Sequence, residues 1–166
     1  MSIVLIGGGS RSGKSSYALS LARQCGERRG FLATAQAFDE EMRQRIAQHQ
    51  QERGADFVTI EEPLDLAQVI LTQQKSLDVL VIDCLTLWLS NVLLSGEEPC
   101  FERLIETTAE SPVQCILVTN EVGCGIVPEN ALARRFRDLA GTLNQEAAAR
   151  ATAVYWMVFG VPLRVK

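Results

Sequence analysis

One segment near the start of the chain constrains the fold more than any other. It directly follows the apolar run Ile3–Ile6, precedes a segment with helical periodicity, and matches the pattern GxxxxGK[ST] with Gly8, Gly9, Ser10, Arg11, Ser12, Gly13, Lys14 and Ser15. Glycines let such a loop adopt positive φ and wrap around a polyphosphate, which backbone N–H groups and a helix N-terminus then bind. The order strand, loop, helix favours this interpretation over a glycine-rich turn at a strand end.

The loop also assigns roles to its last two residues. Lys14 is predicted to reach the β and γ phosphates as the catalytic cation, and the Ser15 hydroxyl to bind Mg²⁺. A second candidate magnesium ligand is Asp83, which follows the largely apolar segment Leu77–Ile82. A carboxylate at the end of a buried strand is typical of the Walker B position. The alternative is that Asp83 caps the helix predicted to begin near Leu85.

Length and composition narrow the class of protein. The 166 residues predict a single domain, residues 1–166, and the formal net charge of −4 argues against a broad nucleic-acid surface. The N-terminal apolar run is too short for a signal peptide or a membrane span, which predicts a cytoplasmic protein. Five cysteines with no metal-binding spacing are expected to be buried and reduced.

The rest of the chain alternates strand-like and helix-like segments. Strands are predicted at residues 30–34, 56–60, 77–82, 113–118, 153–159 and, after a break at 160–162, 163–165. Helices are predicted to begin at about Lys14, Asp39, Pro63, Leu85, Cys100 and Pro128. The segment 85–94 is apolar nearly all round, so it should be deeply buried or packed against another subunit. The alternation predicts an α/β fold with a mostly parallel sheet, helices on both faces and a ligand crevice at the strands' carboxyl ends.

His49 is the only histidine in the chain. Helical spacing places it on one face with Met42 and Ile46, where a histidine packed against its neighbours would be unremarkable. Arg45 and Arg53 lie one turn before and one turn after it, so two guanidinium groups could bind a phosphate beside the imidazole. A neutral imidazole in that position could attack an α-phosphate and displace pyrophosphate. The residues alone leave both interpretations open.

Several segments together resemble one known family, the bifunctional adenosylcobinamide kinase / adenosylcobinamide-phosphate guanylyltransferases. The similar segments are the loop at residues 8–15, Ala33–Gln36, Asp39–Met42, Arg45–His49, Asp83–Thr86, Thr119–Gly123, Gly125–Asn130, Leu132–Asp138, Gly141, Asn144–Gln145 and Gly160–Leu163. The first motif is common to many P-loop proteins. Its combination with the single RIxxH histidine and with TNEVG and GIVPEN is specific.

The resemblance implies a RecA-like P-loop fold, a homotrimer and two activities. ATP or GTP would phosphorylate adenosylcobinamide, and GTP would then guanylylate His49, which passes GMP to adenosylcobinamide phosphate to give adenosylcobinamide-GDP. The implied nucleotide contacts are residues 8–15, Ala33, Thr34, Ala35, Gln50, Gln51, Glu52, Arg53, Glu61 and Asp83. The implied cofactor is Mg²⁺.

Two other classes of function fit parts of the pattern. A small-molecule kinase without guanylylation would leave His49 structural. A switch-type GTPase is disfavoured because the chain has no NKxD sequence. Two sets of polar residues stay ambiguous. Thr119, Asn120 and Glu121 are expected either to face ligand or to stabilise the loop. Arg134, Arg135 and Arg137 are expected to meet phosphate, a neighbouring subunit or solvent.

Overall fold

A computed structural model describes residues 3–36 and 40–166; for residues 41, 42, 45, 46, 48, 49 and 52 it describes the helical backbone but not the side chains. The strands are β1 (Ile3–Gly8), β2 (Arg29–Ala33), β3 (Phe57–Glu61), β4 (Val79–Asp83), β5 (Gln114–Val118), β6 (Ala153–Val158) and β7 (Val161–Arg164). The helices are α1 (Lys14–Ala22), α2 (Glu40–Arg53), α3 (Leu66–Gln73), α4 (Leu85–Ser95), α5 (Phe101–Glu110) and α6 (Ala131–Arg150).

The seven strands form one sheet in the order β3-β2-β4-β5-β1-β6-β7. All neighbouring strands are parallel except β6 and β7, which pair as an antiparallel hairpin. The carboxyl ends of β1 to β6 therefore lie along one edge. β1, which leads into the glycine-rich loop, is separated from β4, which ends in Asp83, by the single strand β5.

The helices cover both faces of this sheet, as predicted. On one face α1 packs Ala18, Leu19 and Ala22 into a cluster with strand residues such as Ile6 and Val81. On the other face buried side chains of α3, α4, α5 and α6 join a second, larger cluster. The apolar helix α4 belongs to that second cluster, which confirms the first of its two predicted alternatives, deep burial. The α/β class with a mostly parallel sheet is confirmed as well.

Two predicted helix starts were wrong in the same way. α3 begins at Leu66 rather than Pro63, and α6 at Ala131 rather than Pro128. The residues at the starts are Asp65 and Asn130, whose side-chain oxygens accept hydrogen bonds of 3.1 Å from the backbone N–H groups of Gln68 and Ala133. These oxygens satisfy N–H groups that have no partner inside the helix. The side chain of proline has no acceptor atom for such an N–H group. The predicted start at Asp39 lies outside the described residues.

The C-terminal hairpin also differs from the expectation. The turn is formed by Phe159 and Gly160, and Pro162 lies within β7, where its partner in the ladder is Met157. Proline is tolerated there because β7 is the edge strand, whose outward positions need no ladder hydrogen bond. The predicted break is therefore confirmed at Gly160 but wrong for Val161 and Pro162, which belong to β7.

The expectation for the cysteines was only partly right. All five are free, but only Cys84 and Cys115 are buried, while Cys25, Cys100 and Cys124 are exposed. The exposed three lie after α1, before α5 and in the loop that follows β5, where no sheet or helix covers them. In the described part of the chain, no helix has the length and apolar composition needed to cross a bilayer.

Candidate active site

The glycine-rich loop connects the end of β1 to the start of α1. Gly13 occupies the N-cap of α1 with φ 91°, a conformation that favours glycine, and makes no side-chain capping hydrogen bond. Gly8 is equally constrained, since a Cβ there would lie 2.8 Å from the Ser12 Oγ atom and 3.0 Å from the carbonyl oxygen of Met157. The first N–H groups of α1 thus point out of the helix toward the loop, which is the arrangement that binds phosphate.

Lys14 is folded into this loop. Its side chain is largely buried, and the Nζ atom donates hydrogen bonds of 2.5 Å to the Gly9 carbonyl and 3.5 Å to the Ser12 Oγ atom. Burial lowers the pKa of the Lys14 amine, and the negative charge of Asp83 partly opposes that shift. The amine is therefore held where an incoming phosphate group can take over its contacts.

A cleft of about 330 Å³ opens beside the loop. It is lined by Ser10, Arg11, Ser12, Gly13, Lys14, Ser15, Ser16, Asp83, Cys84, Leu87 and Asn120. Most predicted loop residues and Asp83 thus meet in one place, as expected for residues at the carboxyl edge of a parallel sheet. Sequence reasoning missed Ser16, Cys84 and Leu87. The only sequence feature that could have identified them is their position. Ser16 directly follows the GxxxxGK[ST] motif, and Cys84 and Leu87 follow Asp83 along the same side of the cleft.

The alternative role for Asp83, as the cap of α4, is not what the structure shows. The N-cap of α4 is Cys84, whose sulfur accepts a 3.5 Å hydrogen bond from the backbone N–H of Leu87. Burial, with a smaller contribution from the Asp83 charge, raises the pKa of the Cys84 thiol to about 12, so it stays neutral. Asp83 instead lines the cleft with Lys14 and Ser15.

The donor set in this cleft suits Mg²⁺. Ser15 offers one hydroxyl and Asp83 one carboxylate, and Mg²⁺ in phosphate sites is usually bound by one or two protein oxygens together with phosphate and water. No group of three or more acidic, histidine or cysteine side chains suited to hold a metal is present among the described residues. The chemistry of the site thus fits a magnesium ion that arrives with a nucleotide.

The end of β4 is fixed from beneath by Thr34. The Thr34 hydroxyl donates a 2.9 Å hydrogen bond to the Cys84 carbonyl and accepts one of 2.8 Å from the Cys84 N–H, and the residue is fully buried. The side-chain amide of Asn91 donates a 2.8 Å hydrogen bond to the Thr34 carbonyl. The structure therefore places Thr34 behind the wall of the cleft, where it positions the Asp83–Cys84 corner.

A second group of predicted residues surrounds Arg53, the last residue of α2. Glu61, Ala33 and Asp83 lie in one row across the ends of β3, β2 and β4. Arg53 as a whole residue is only 4% exposed. Burial lowers its pKa, and the charges of Asp83 and Glu61 oppose that shift. A buried cation thus faces two carboxylates beside the cleft.

The remaining predicted residues of this region are less constrained. Ala35 is half-buried just after β2, and Gln50 and Gln51 are exposed on α2. His49 lies in the backbone of α2, and its side chain, like that of Glu52, is outside what the structure describes.

The polar residues after β5 divide between the two expected roles. Thr119 is buried, and its hydroxyl donates a 2.7 Å hydrogen bond to the Oδ1 atom of Asn144. Asn120 faces the cleft, with its N–H fixed by a 2.7 Å bond to the Thr86 hydroxyl. The N–H of Glu121 donates to the Gly8 carbonyl over 3.1 Å. These bonds join the loop after β5 to the phosphate-binding loop.

Three of the four arginines of α6 were singled out from the sequence, and all three make contacts within the chain. Arg134 donates to the Pro128 and Glu129 carbonyls over 2.9 and 2.6 Å, and Arg137 to the Gly123 carbonyl over 2.6 Å. Arg135 pairs with Glu98 across the surface. Arg134 and Arg137 thus hold the loop 121–130 against α6.

The sheet order and the cleft together define a P-loop nucleotide-binding protein. A solved structure with the same fold is an ATPase of a bacterial type III secretion system, with a TM-score of 0.57 and 15% identity over 95% of this chain and 51% of that one. At that identity the likeness concerns the fold alone. It agrees with the predicted RecA-like architecture.

Closer relatives identify the family. A family model described as cobinamide kinase / cobinamide phosphate guanyltransferase matches residues 4–165. The bifunctional adenosylcobalamin biosynthesis protein CobP of Pseudomonas aeruginosa is 45% identical over 166 residues, covering 98% of this chain and 96% of that protein. The corresponding CobU protein of Salmonella typhimurium is 38% identical over 181 residues and 99% of each chain. The chain belongs to the cobinamide kinase / cobinamide phosphate guanyltransferase family, a family of enzymes rather than of partner-binding GTPase switches.

Proposed function

We propose that this protein phosphorylates adenosylcobinamide with ATP or GTP and then transfers GMP from GTP to the new phosphate through a guanylyl-histidine at His49. Membership in the family supports the pair of reactions. The observation that carries the proposal is the cleft in which Lys14, Ser15 and Asp83 meet at the N-terminus of α1.

The kinase step needs alignment and charge neutralisation more than covalent help from the protein. The substrate hydroxyl oxygen attacks the γ-phosphorus, the bond to the β-phosphate oxygen breaks, and a nucleoside diphosphate and a proton are released. The N–H groups of the loop and the Lys14 amine stabilise the charge on the phosphates. Mg²⁺, bound by Ser15 and Asp83, would supply further neutralisation of that charge.

The guanylyl step needs a nucleophile, which we assign to His49. An imidazole nitrogen attacks the α-phosphorus of GTP, a P–N bond forms, and the bond to the β-phosphate oxygen breaks to release pyrophosphate and a proton. A phosphate oxygen of adenosylcobinamide phosphate then attacks the same phosphorus, the P–N bond breaks, and the leaving imidazole nitrogen takes up a proton as adenosylcobinamide-GDP is released. Arg53, on the same helix and facing the Asp83 side of the cleft, supports this assignment because a guanidinium stabilises phosphate charge.

Covalent labelling tests the assignment directly. Wild-type protein incubated with Mg²⁺ and GTP labelled at the α-phosphate should acquire label that is lost in acid and stable in base, as a phosphoramidate is. His49→Ala should acquire none and should keep most of the kinase activity. Gln44→Ala, an exposed position on the same helix, is the matched control and should label like wild type.

The outcomes separate the alternatives. Label that survives in His49→Ala would show that another residue is the nucleophile. Kinase turnover with no label in wild-type protein would indicate a kinase without guanylylation. Equal loss of both activities in His49→Ala would contradict the division of labour between the cleft and the histidine.

We also propose that the protein acts in the cytoplasm as a homo-oligomer, a trimer by the resemblance of its sequence. Exposed apolar side chains on the edge hairpin, among them Val161 and Leu163, support self-association because such residues are commonly covered in assemblies. Sedimentation analysis of the purified protein tests the oligomeric state.

A further inference from the structure

Asn120 lies just beyond the end of β5 and lines the cleft together with Lys14 and Asp83. β5 is the strand between β1, which leads into the phosphate-binding loop, and β4, which ends in Asp83. A phosphate group that occupies the cleft between Lys14 and Asp83 therefore lies above the carboxyl end of β5. This holds whichever way the nucleoside leaves the cleft. Asn120 is the residue that the chain contributes to the cleft at that point.

The backbone around Asn120 is held in place by hydrogen bonds. Its own N–H donates over 2.7 Å to the Thr86 hydroxyl, and the N–H of the next residue, Glu121, donates over 3.1 Å to the Gly8 carbonyl. Both bonds start from main-chain N–H groups. A substitution of the Asn120 side chain therefore leaves the attachment of this segment to α4 and to the phosphate-binding loop intact.

The side-chain amide of Asn120 has most of its hydrogen-bonding capacity unused. The residue is half-buried, and among the described residues its amide makes one contact, from the Nδ2 atom to the Cys84 Sγ atom over 3.9 Å. Sulfur is a weak acceptor, and a carboxamide carries two N–H donors and an acceptor oxygen. Since Cys84 also lines the cleft, the amide lies at the cleft wall with at least one N–H available to a phosphate oxygen.

We infer that the Asn120 amide donates a hydrogen bond to an oxygen of the phosphoryl group transferred in the proposed kinase step. Charge on that group is spread over its three oxygens as it passes from donor to acceptor. Lys14 and the loop N–H groups already meet the charge of the bound nucleotide. A further donor fixed beside the moving group stabilises chiefly the transition state. The inference rests on the proposed kinase activity and adds a catalytic residue outside the P-loop motif.

Transfer of label from γ-labelled ATP and GTP to adenosylcobinamide, at saturating substrates, tests this role. Asn120→Ala should lower kcat roughly a hundredfold and change the nucleotide Kd by less than about threefold, because the lost donor acts on the transition state. Asn120→Asp keeps the size and an acceptor oxygen but has no N–H, so its kcat should be at least as low. Gln24→Ala removes an exposed amide after the end of α1 and should transfer phosphate like wild type.

Urea unfolding and nucleotide binding separate this role from a structural one. Asn120→Ala should unfold at nearly the same urea concentration as wild type, because the main-chain bonds to Thr86 and Gly8 remain. Parallel losses of stability and kcat, or of nucleotide affinity and kcat, would overturn the inference. Wild-type kcat in Asn120→Ala or in Asn120→Asp would do the same and leave the proposed function standing. Wild-type protein that binds nucleotide but transfers no phosphate to adenosylcobinamide would overturn the proposed function itself.

Discussion

The guanidinium carbon of Arg53 lies 4.0 Å from the centre of the Phe31 ring, in the interior of the protein. The ring face attracts the cation, but it does not satisfy the polar hydrogens. Within the described part of the chain, the Nε and Nη2 atoms of Arg53 are buried without a hydrogen-bond partner. Burying a cation in this way costs free energy, and the charges of Asp83 and Glu61 offset part of that cost.

We expect Arg53→Met to separate stability from binding. Arg53→Met removes the desolvation cost of the guanidinium but also its attraction to Asp83 and Glu61, so the free energy of unfolding of the nucleotide-free protein should change by no more than about 1 kcal/mol. The same change should lower nucleotide affinity about tenfold or more, because a cation beside the phosphates is lost. Urea unfolding and equilibrium binding measure the two effects. Arg103→Met, which removes an exposed arginine paired with Asp65, is the control and should change neither by much. A large loss of stability in Arg53→Met would contradict this account.

The proposed magnesium ligands predict a specific change in metal dependence. Ser15→Ala and Asp83→Asn should each raise the Mg²⁺ concentration needed for half-maximal nucleotide binding by about tenfold, since each removes one oxygen from a small ligand set. Titration of Mg²⁺ at fixed nucleotide measures this. Ser16→Ala, next in sequence and lining the same cleft, should leave the metal dependence unchanged. An unaltered Mg²⁺ titration in Asp83→Asn would rule out the Walker B role.

Thr34 should prove more important for stability than its single hydroxyl suggests. Thr34→Val keeps the shape of the side chain but leaves the buried N–H of Cys84 without its partner, while the Cys84 carbonyl keeps its bond from the Trp88 N–H; the change should cost about 1 to 3 kcal/mol of unfolding free energy. Thr34→Ser retains the hydroxyl and should recover most of that loss. Chemical denaturation of both variants checks the prediction, and similar stabilities for Val and Ser would contradict it.

Asp78 should govern part of the acid sensitivity of the fold. Hydrogen bonds from the Arg28 guanidinium, and further ones from the backbone N–H groups of Glu27 and Arg28, lower the pKa of the Asp78 carboxyl to about 2. Because the folded value lies below the usual 3.8, this stabilisation is complete above about pH 4 and is lost as the pH falls toward 2. Unfolding free energies measured against pH should therefore converge for wild type and Asp78→Asn in that window. Arg28→Met should remove most of the pH-dependent difference, and a constant gap between wild type and Asp78→Asn would contradict the assignment.

The features predicted well are those that depend on short-range patterns. The phosphate-binding loop, the strand ends and the apolar helix α4 follow from glycine placement, apolar runs and periodicity, and the structure places them as expected. The starts of α3 and α6 were missed because proline was preferred over the capping residues Asp65 and Asn130 that follow it. A rule that gives priority to a side-chain acceptor would have found both.

The features that could not be predicted depend on distant parts of the chain. The Thr34 hydroxyl bonds to Cys84, fifty positions later. No sequence pattern around Thr34 or around Cys84 predicts that contact. The burial of Arg53 over Phe31 likewise depends on how α2 docks, and helical periodicity alone places an arginine near the end of a helix in solvent. The contact between the Gly160 N–H and the Ser12 carbonyl follows from β6 pairing with β1, which only the assembled sheet reveals.

β5 lies between β1, which leads into the phosphate-binding loop, and β4, which ends in Asp83. The start of the loop and Asp83 are therefore about two interstrand spacings apart, or roughly 10 Å. Backbone hydrogen bonding sets that interval, and side-chain identity within β5 has little influence on it. Evolution can consequently rewrite the interior of this protein extensively while the width offered to a metal-bound triphosphate stays constant.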